Sequence, residues 1–130
     1  MANPDIVDVA TINAESLGFT LGNSADAVLM TVKDDVVLKV NSIIAANDDG
    51  TNDATVDVTV VKANYTPAGV DNLTANGTFV LAKVISVPAG TSLSLLDKPI
   101  YLMETDVLRG WASAATRIDL FVSFETINDA

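Results

Sequence analysis

The side chains best suited to chemistry in this sequence are carboxylates, and several of them fall close together. Asp48, Asp49 and Asp53 lie in one polar stretch, and Asp57 follows it. Calcium takes about six to eight oxygen ligands, and the helix-loop-helix calcium loop spaces its acids at alternate positions ahead of a glycine. Gly50 here comes directly after two adjacent aspartates, so that template does not fit. We expect the tip of a solvated turn, with a loose calcium site at residues 48–53 as the alternative.

A second carboxylate pair, Glu104 and Asp106, would point the same way on a strand and is the best pair for acid and base catalysis. Asp106 precedes Val107 at the end of a turn, a position where aspartate commonly accepts hydrogen bonds from nearby backbone. We therefore expect a structural role for this pair.

The residue types that usually activate nucleophiles are missing. The chain has no histidine and no cysteine, which removes the usual general base, thiolate chemistry and the commonest zinc ligands. Serines are present without a Ser-x-x-Lys or Gly-x-Ser-x-Gly spacing, and no glycine-rich phosphate loop occurs. We expect a protein that is not an enzyme and that needs no cofactor or metal.

Trp111 is the remaining candidate for ligand binding. Arg109 lies two positions earlier, on the same side of a predicted strand, so the pair could stack against a sugar ring. A lone tryptophan in a β-sandwich more often packs in the core. We expect Trp111 in the core and keep a carbohydrate-binding module as the alternative.

Charge and length limit the classes of partner. The 130 residues carry a formal net charge of −10, so the average surface repels phosphate backbones and anionic lipid headgroups. No apolar run is long enough to cross a bilayer, and residues 1–5 do not resemble the start of a secretory signal. We expect a single domain over residues 1–130, made in a cytosol-like compartment, that binds neither nucleic acid nor membrane.

The hydrophobic pattern is that of short β-strands. In the last one, Ile118, Leu120, Val122 and Phe124 alternate with Asp119, Ser123 and Glu125, while Phe121 breaks the polar face and predicts a second apolar contact. A loss of alternation predicts a bulge within residues 41–43. The predicted strands are residues 25–32, 36–46, 54–63, 80–87, 92–96, 100–102, 107–112 and 117–127. The polar residues 47–53 predict a hairpin between the second and third of these strands.

Two segments are candidate contact regions. Ile6, Val7 and Val9, together with Ile12, form either a first strand or an N-terminal arm (residues 1–12) that pairs with a neighbouring subunit. Residues 13–23 read as a strand or as a loop. Residues 64–77 form the longest predicted loop, and its candidate interface residues are Tyr65, Pro67 and Leu73.

About eight or nine short strands with no long helix must pair face to face to bury their apolar sides. The sequence therefore predicts an all-β fold, an antiparallel β-sandwich resembling a jelly roll.

Four stretches together resemble small virion structural proteins of tailed, mainly marine, bacteriophages. They are residues 86–93, 99–108, 112–114 and 118–125, with the upstream stretch 39–47 and its Asp-Gly-Thr-Asn loop. The resemblance covers roughly residues 36–127. It implies a non-enzymatic building block that acts through subunit contacts.

The resemblance leads us to expect a capsid decoration, or cement, protein on the outer surface of the virion, made in the host cytoplasm. Its partners would be the major capsid protein and copies of itself, as a homotrimer. The alternatives are a head-fibre, neck or tail component of the virion, or the carbohydrate-binding sandwich.

Overall fold

The computed structural model describes residues 11–62, 69 and 76–128, and these form nine β-strands. No helix that could span a membrane occurs in this part of the chain. The strands are β1 (Thr11–Thr20), β2 (Val28–Thr31), β3 (Val36–Asn47), β4 (Ala54–Lys62), β5 (Gly77–Val87), β6 (Ser92–Ser94), β7 (Ile100–Leu102), β8 (Val107–Ala112) and β9 (Ile118–Asn128).

The strands form two antiparallel sheets. Sheet A has the order β1-β9-β3-β6, with β7 also paired to β3, and sheet B has the order β2-β8-β4-β5. Because β6 and β7 pair with different parts of β3, they fill one strand position, which gives four positions in each sheet. The chain alternates between the sheets except from β4 to β5, which are neighbours in sheet B, and from β6 to β7, which share one position in sheet A. This is the connectivity of a jelly roll, and the predicted all-β sandwich is confirmed.

The core lies between the two sheets and is built from alternate residues of the central strands. On β3 and β9 of sheet A, Val40, Ile43 and Val122 are fully buried, and on β4 of sheet B so are Val56 and Val58. The strand alternation predicted from the sequence therefore sets the inward face of each central strand.

Two local features fit the sheets together. The register of β3 against β9 shifts between Val40 and Ser42, so the bulge predicted for residues 41–43 is confirmed. Gly110 of β8 faces inward beneath Leu29, where an added Cβ would lie 2.8 Å from Leu29 Cδ1. A side chain at position 110 would therefore displace Leu29.

The predicted hairpin across residues 47–53 is wrong. β3 belongs to sheet A and β4 to sheet B, so the polar loop crosses from one sheet to the other. Backbone hydrogen bonds hold the loop in place: Asp48 N donates to Arg117 O, and Gly90 N donates to Asp49 O. Turn-forming composition marks where a strand ends but does not choose the sheet of the next strand.

The predicted core position of Trp111 is also wrong. On β8 the inward residues are Leu108, Gly110 and Ala112, which puts Arg109 and Trp111 on the outer face of sheet B. Trp111 is half-buried there and lies opposite Asp57 of β4. On the inward face of β8, Leu29 packs over Gly110 and leaves no room for a larger side chain at position 110.

Candidate interaction surface

The outer face of sheet A carries an apolar row in its middle. In the register of the sheet, Gly18 of β1, Phe121 of β9 and Ile44 of β3 lie side by side. Phe121 is 48% exposed and Ile44 is 40% exposed. Gly18 leaves the ring of Phe121 open on one side, with Phe121 Cδ1 only 3.6 Å from where a Cβ would stand. We call Gly18, Phe121 and Ile44 the apolar row.

Polar pairs lie on both sides of the apolar row. Toward one end of the sheet, Thr20 Oγ1 donates to Asp119 Oδ1 over 3.1 Å. Toward the other end, Asn41 Nδ2 donates to Glu125 Oε2 over 3.1 Å, and Lys39 Nζ lies 3.8 Å from the same oxygen. An apolar strip with a polar rim is the usual anatomy of a protein contact surface. The second apolar contact predicted for Phe121 is therefore partly supplied by Ile44, while about half of the ring stays open.

The edges of the sandwich differ in how well they are protected. β1 pairs with β9 through ten consecutive residue pairs without a bulge, and it has no strand on its other side among the described residues. The other long edge strand, β5, is broken by two register shifts against β4 and by a positive φ of 49° at Val84. Regular unpaired edges readily accept another strand, whereas bulged edges do not.

A groove opens between the sheets along β1. Glu15 and Leu17 of β1 pair with Phe124 and Val122 of β9, so their side chains point toward the inside of the sandwich. Leu17 is nevertheless 47% exposed, because β2, the edge strand of the opposite sheet, has only four residues. The resulting groove has a volume of about 430 Å³. We call it the seam groove. Its apolar lining consists of Leu17, Met30, Val32, Val36, Leu38 and Phe124, and its polar lining of Glu15, Thr31, Lys33, Thr126 and Asn128.

The carboxylates of Glu104 and Asp106 hold loops together. Both are buried in the turn between β7 and β8, not on a strand. Glu104 Oε2 accepts a 2.8 Å hydrogen bond from Asp35 N, while Asp106 Oδ2 accepts one of 2.8 Å from Met103 N and lies 2.5 Å from Lys62 Nζ. The two carboxylates thus bind different partners.

The acidic loop is likewise occupied by its own bonds. Asp49 Oδ1 accepts from Thr51 N and Asn52 N, and Asp49 Oδ2 lies 3.3 Å from Arg117 Nε. The backbone N–H groups of Thr51 and Asn52, followed by the Asn52 side chain and Arg117, hold the pKa of Asp49 below its ordinary value. Asp53 Oδ1 accepts from Ala89 N.

Within the described ranges, no group of three or more histidine, cysteine, aspartate or glutamate side chains could hold a metal ion. The geometry of residues 48–53 is that of a hydrogen-bonded turn.

The predicted interface residues Ile6, Val7, Val9, Tyr65, Pro67 and Leu73 lie outside the described residues. The structure adds two features that sequence reasoning missed, the partner of Phe121 at Ile44 and the exposed inward-facing Leu17. Phe121 already stood out because it interrupts a polar face. Leu17 gave no such signal, because β1 mixes Asn13, Glu15, Leu17 and Phe19 on its inner face.

Comparison with known proteins finds no matching family model and no matching curated protein. Among solved structures, a chain of the Bacillus endospore appendages, described as disulfide-linked pili, is 20% identical at a TM-score of 0.45. That match covers 92% of this chain and 88% of the other. A chain of the IBDV T13 viral particle is 11% identical at a TM-score of 0.44, with 90% of this chain matched to 31% of that one. This protein therefore spans about a third of the viral chain, and similarity at this level does not establish a shared function.

Proposed function

We propose that this protein is a structural protein of a tailed-bacteriophage virion and acts as a capsid decoration, or cement, protein. The observation that carries the proposal is the apolar row on the outer face of sheet A. There an aromatic and an aliphatic side chain remain exposed to solvent, although the chain has a net charge of −10. Exposed apolar groups with a polar rim mark surfaces that bind other proteins.

The fold and the sequence resemblance support the same role. Jelly rolls recur in viral capsid and lectin domains, which is a fold-level analogy. The resemblance of residues 36–127 to phage virion structural proteins favours the capsid over the lectin. The acidic surface suits a position outside the shell, away from packaged DNA.

The mechanism is mass action on an assembled lattice. Outer faces of sheet A bind neighbouring major capsid subunits, and because the site exists only when those subunits are correctly placed, binding stabilises the assembled head. Bond breaking plays no part in this role, and the protein is proposed to have no catalytic activity.

The test uses expanded heads of the encoding phage that lack this protein. Adding the purified wild-type chain is expected to raise the temperature at which the heads release DNA. Phe121→Thr and Ile44→Thr remove the apolar row while keeping residues that favour strands, and each is expected to weaken head binding by about tenfold or more.

Val80→Thr is the matched control, because Val80 is 56% exposed but lies on β5 of sheet B. It should bind heads like the wild type. If wild-type protein gives no gain in heat resistance, or if Val80→Thr weakens binding as much as Phe121→Thr, the proposed surface is wrong. Counting copies in native particles separates this role from the head-fibre, neck or tail alternative, which requires few copies per particle.

A further inference from the structure

Strand β1 offers the longest regular unpaired edge among the described strands. Its ten residues pair with β9 without a register shift, and they include no proline and no lysine. The edge strands β2, β6 and β7 have three or four residues each, and β5 is bulged. Proteins usually protect long edges with proline, lysine, bulges or a covering segment. The edge of β1 lacks the first three of these and carries one inward-pointing charge, Glu15, so a covering strand is the further protection that fits an edge of this length.

The seam groove lies directly beneath this edge. A strand added beside β1 continues sheet A, and alternate side chains of that strand would then point into the groove. An apolar cavity of about 150 Å³ already accepts a benzene-sized group. The 430 Å³ of the seam groove therefore has room for more than one aliphatic side chain, which would cover Leu17.

The sequence that precedes β1 matches this site in its hydrophobic pattern. Residues 1–10 lie outside the described residues and lead directly into Thr11, whose partner Asn128 also lines the groove. Val7 and Val9 are two positions apart, so in a strand they share one face.

A second copy is better placed to supply this segment than the same chain. To pair with its own β1, the segment would have to reverse direction immediately before Thr11. A two-residue hairpin turn would then consist of Val9 and Ala10, whereas such turns favour Asn, Asp or Gly with positive φ. A longer turn would use up Val7 and Val9, leaving no apolar pair for the groove.

We propose that residues 6–10 of one copy add as a strand to the free edge of β1 in a second copy, with Val7 and Val9 seated in the seam groove. The contact is head-to-tail, so repeated exchange closes into a ring or continues as a filament, depending on the rotation between copies. This inference deepens the proposed function as a structural protein. It rests on that function only for the location of the assembly, which is the virion.

The first experiment measures oligomeric state by light scattering across a concentration series. The full chain is expected to associate, and a variant lacking residues 1–9 is expected to stay monomeric. That variant keeps every residue of the core cluster, which begins at Leu21, so it retains the sandwich. A full chain that is monomeric at all concentrations, or a truncated chain that associates equally well, overturns the inference.

The second experiment separates donor from acceptor. Leu17→Asp places a charge in the groove but keeps the N-terminal segment, and its fold tolerates the change because Leu17 is half-exposed. Leu17→Asp alone and the truncated chain alone are each expected to be monomers. Mixing them should give a one-to-one complex, with the segment of one seated on the other. Failure of the mixture to associate counts against the exchange.

The third experiment titrates a synthetic peptide of residues 1–10 into the truncated chain. Val7→Asp or Val9→Asp in the peptide should weaken binding on the order of tenfold or more. Ile6→Thr is the matched control, because Ile6 lies on the opposite face of the added strand, and it should bind nearly as well as the unaltered peptide. If the peptide binds the truncated chain but the full chain remains monomeric, the segment binds its own chain. That outcome overturns the role of the second copy.

These assays need no capsid. If copies exchange segments in solution but phage heads are not stabilised, the inference stands and the proposed decoration function fails.

Discussion

The ammonium nitrogen of Lys62 lies 2.5 Å from Oδ2 of Asp106, and the Asp106 side chain is completely buried. The same oxygen accepts a hydrogen bond from Met103 N, so one carboxylate joins the end of β4 to the turn before β8. Its other oxygen, Oδ1, has no hydrogen-bond partner in the part of the chain that the structure describes.

Removing either partner of this pair should be strongly destabilising. Lys62→Met leaves a buried carboxylate without its cation, and Asp106→Ala removes the ion pair together with the bond to Met103, so each is expected to lower the free energy of unfolding by about 3–5 kcal/mol. Asp106→Asn can still accept from Met103 N, and it should cost less than Asp106→Ala. Urea unfolding of the three variants measures the difference.

The matched control for Lys62 is the surface pair Lys39 and Glu125, 3.8 Å apart and about one-third exposed at each side chain. Lys39→Met should change the free energy of unfolding by no more than about 1 kcal/mol. Equal losses from Lys39→Met and Lys62→Met would mean that burial does not distinguish the two pairs.

Asp49 makes the stability of the crossing loop depend on pH. The pKa of Asp49 is lowered chiefly by the backbone N–H groups of Thr51 and Asn52, so the charged carboxylate favours the folded state. A group with a depressed folded pKa contributes stability above its unfolded pKa and loses it as the pH falls through the folded value. We therefore expect the contribution to be complete above the ordinary pKa of 3.8 and to disappear progressively below it.

Asp49→Asn tests this contribution because an amide oxygen can still accept from the two N–H groups but carries no charge. The fall in thermal stability between about pH 5 and pH 2 should be shallower in Asp49→Asn than in the wild type. Asp26→Asn is the control at a more exposed carboxylate, 3.8 Å from Arg109 Nη1, and at neutral pH it should change the free energy of unfolding by no more than about 1 kcal/mol. An unchanged slope in Asp49→Asn contradicts the assignment.

Strand positions were readable from the sequence where alternation is strict, and strand partners were not. Residues 100–102 and 107–112 coincide with β7 and β8, and the bulge was visible as a loss of alternation beside Asn41. The sheet of β4 cannot be predicted from the sequence, because a loop of six turn-forming residues, 48–53, can close a hairpin or cross between sheets with the same composition. Pairing is decided by contacts distant in sequence, which local pattern does not encode.

The interaction surface was predictable only in part for a related reason. Phe121 is conspicuous in a polar alternation, yet its neighbours Gly18 and Ile44 are about a hundred and about eighty positions away in sequence. The prediction that Trp111 lies in the core rests on the usual place of a lone tryptophan in a β-sandwich, whereas the inward face of β8 consists of Leu108, Gly110 and Ala112. The usual location of a residue type is therefore a weaker guide to burial than the fit between sheets.

Asn47 is a buried polar residue whose hydrogen-bonding groups are all used. It is 3% exposed, its Nδ2 donates to Asn52 O and Val87 O at 2.9 Å each, and its Oδ1 accepts from Asp49 N at 2.9 Å. Asn47→Ala should lower the free energy of unfolding by about 1–3 kcal/mol, because three backbone groups lose their partner. Asn47→Asp should cost more, since it replaces both donated bonds with a charge that faces two carbonyl oxygens. Chemical denaturation of both variants gives the order.

Thr59 presents the opposite situation, a buried hydroxyl without a partner. It is 6% exposed on the outer face of sheet B beside Arg109, and neither Thr59 Oγ1 nor Arg109 Nε has a hydrogen-bond partner within the described ranges. Thr59→Val keeps the branched shape and removes the group whose burial is uncompensated, so it should raise the free energy of unfolding by about 1 kcal/mol.

Thr55→Val, on the same strand but only half-buried, is the matched control for Thr59→Val and should change stability by no more than about 0.5 kcal/mol. Both are measured by urea unfolding at neutral pH. Destabilisation by Thr59→Val would contradict this expectation and mean that the hydroxyl of Thr59 has a partner. If that partner is Arg109, Arg109→Met should remove the difference between threonine and valine at position 59.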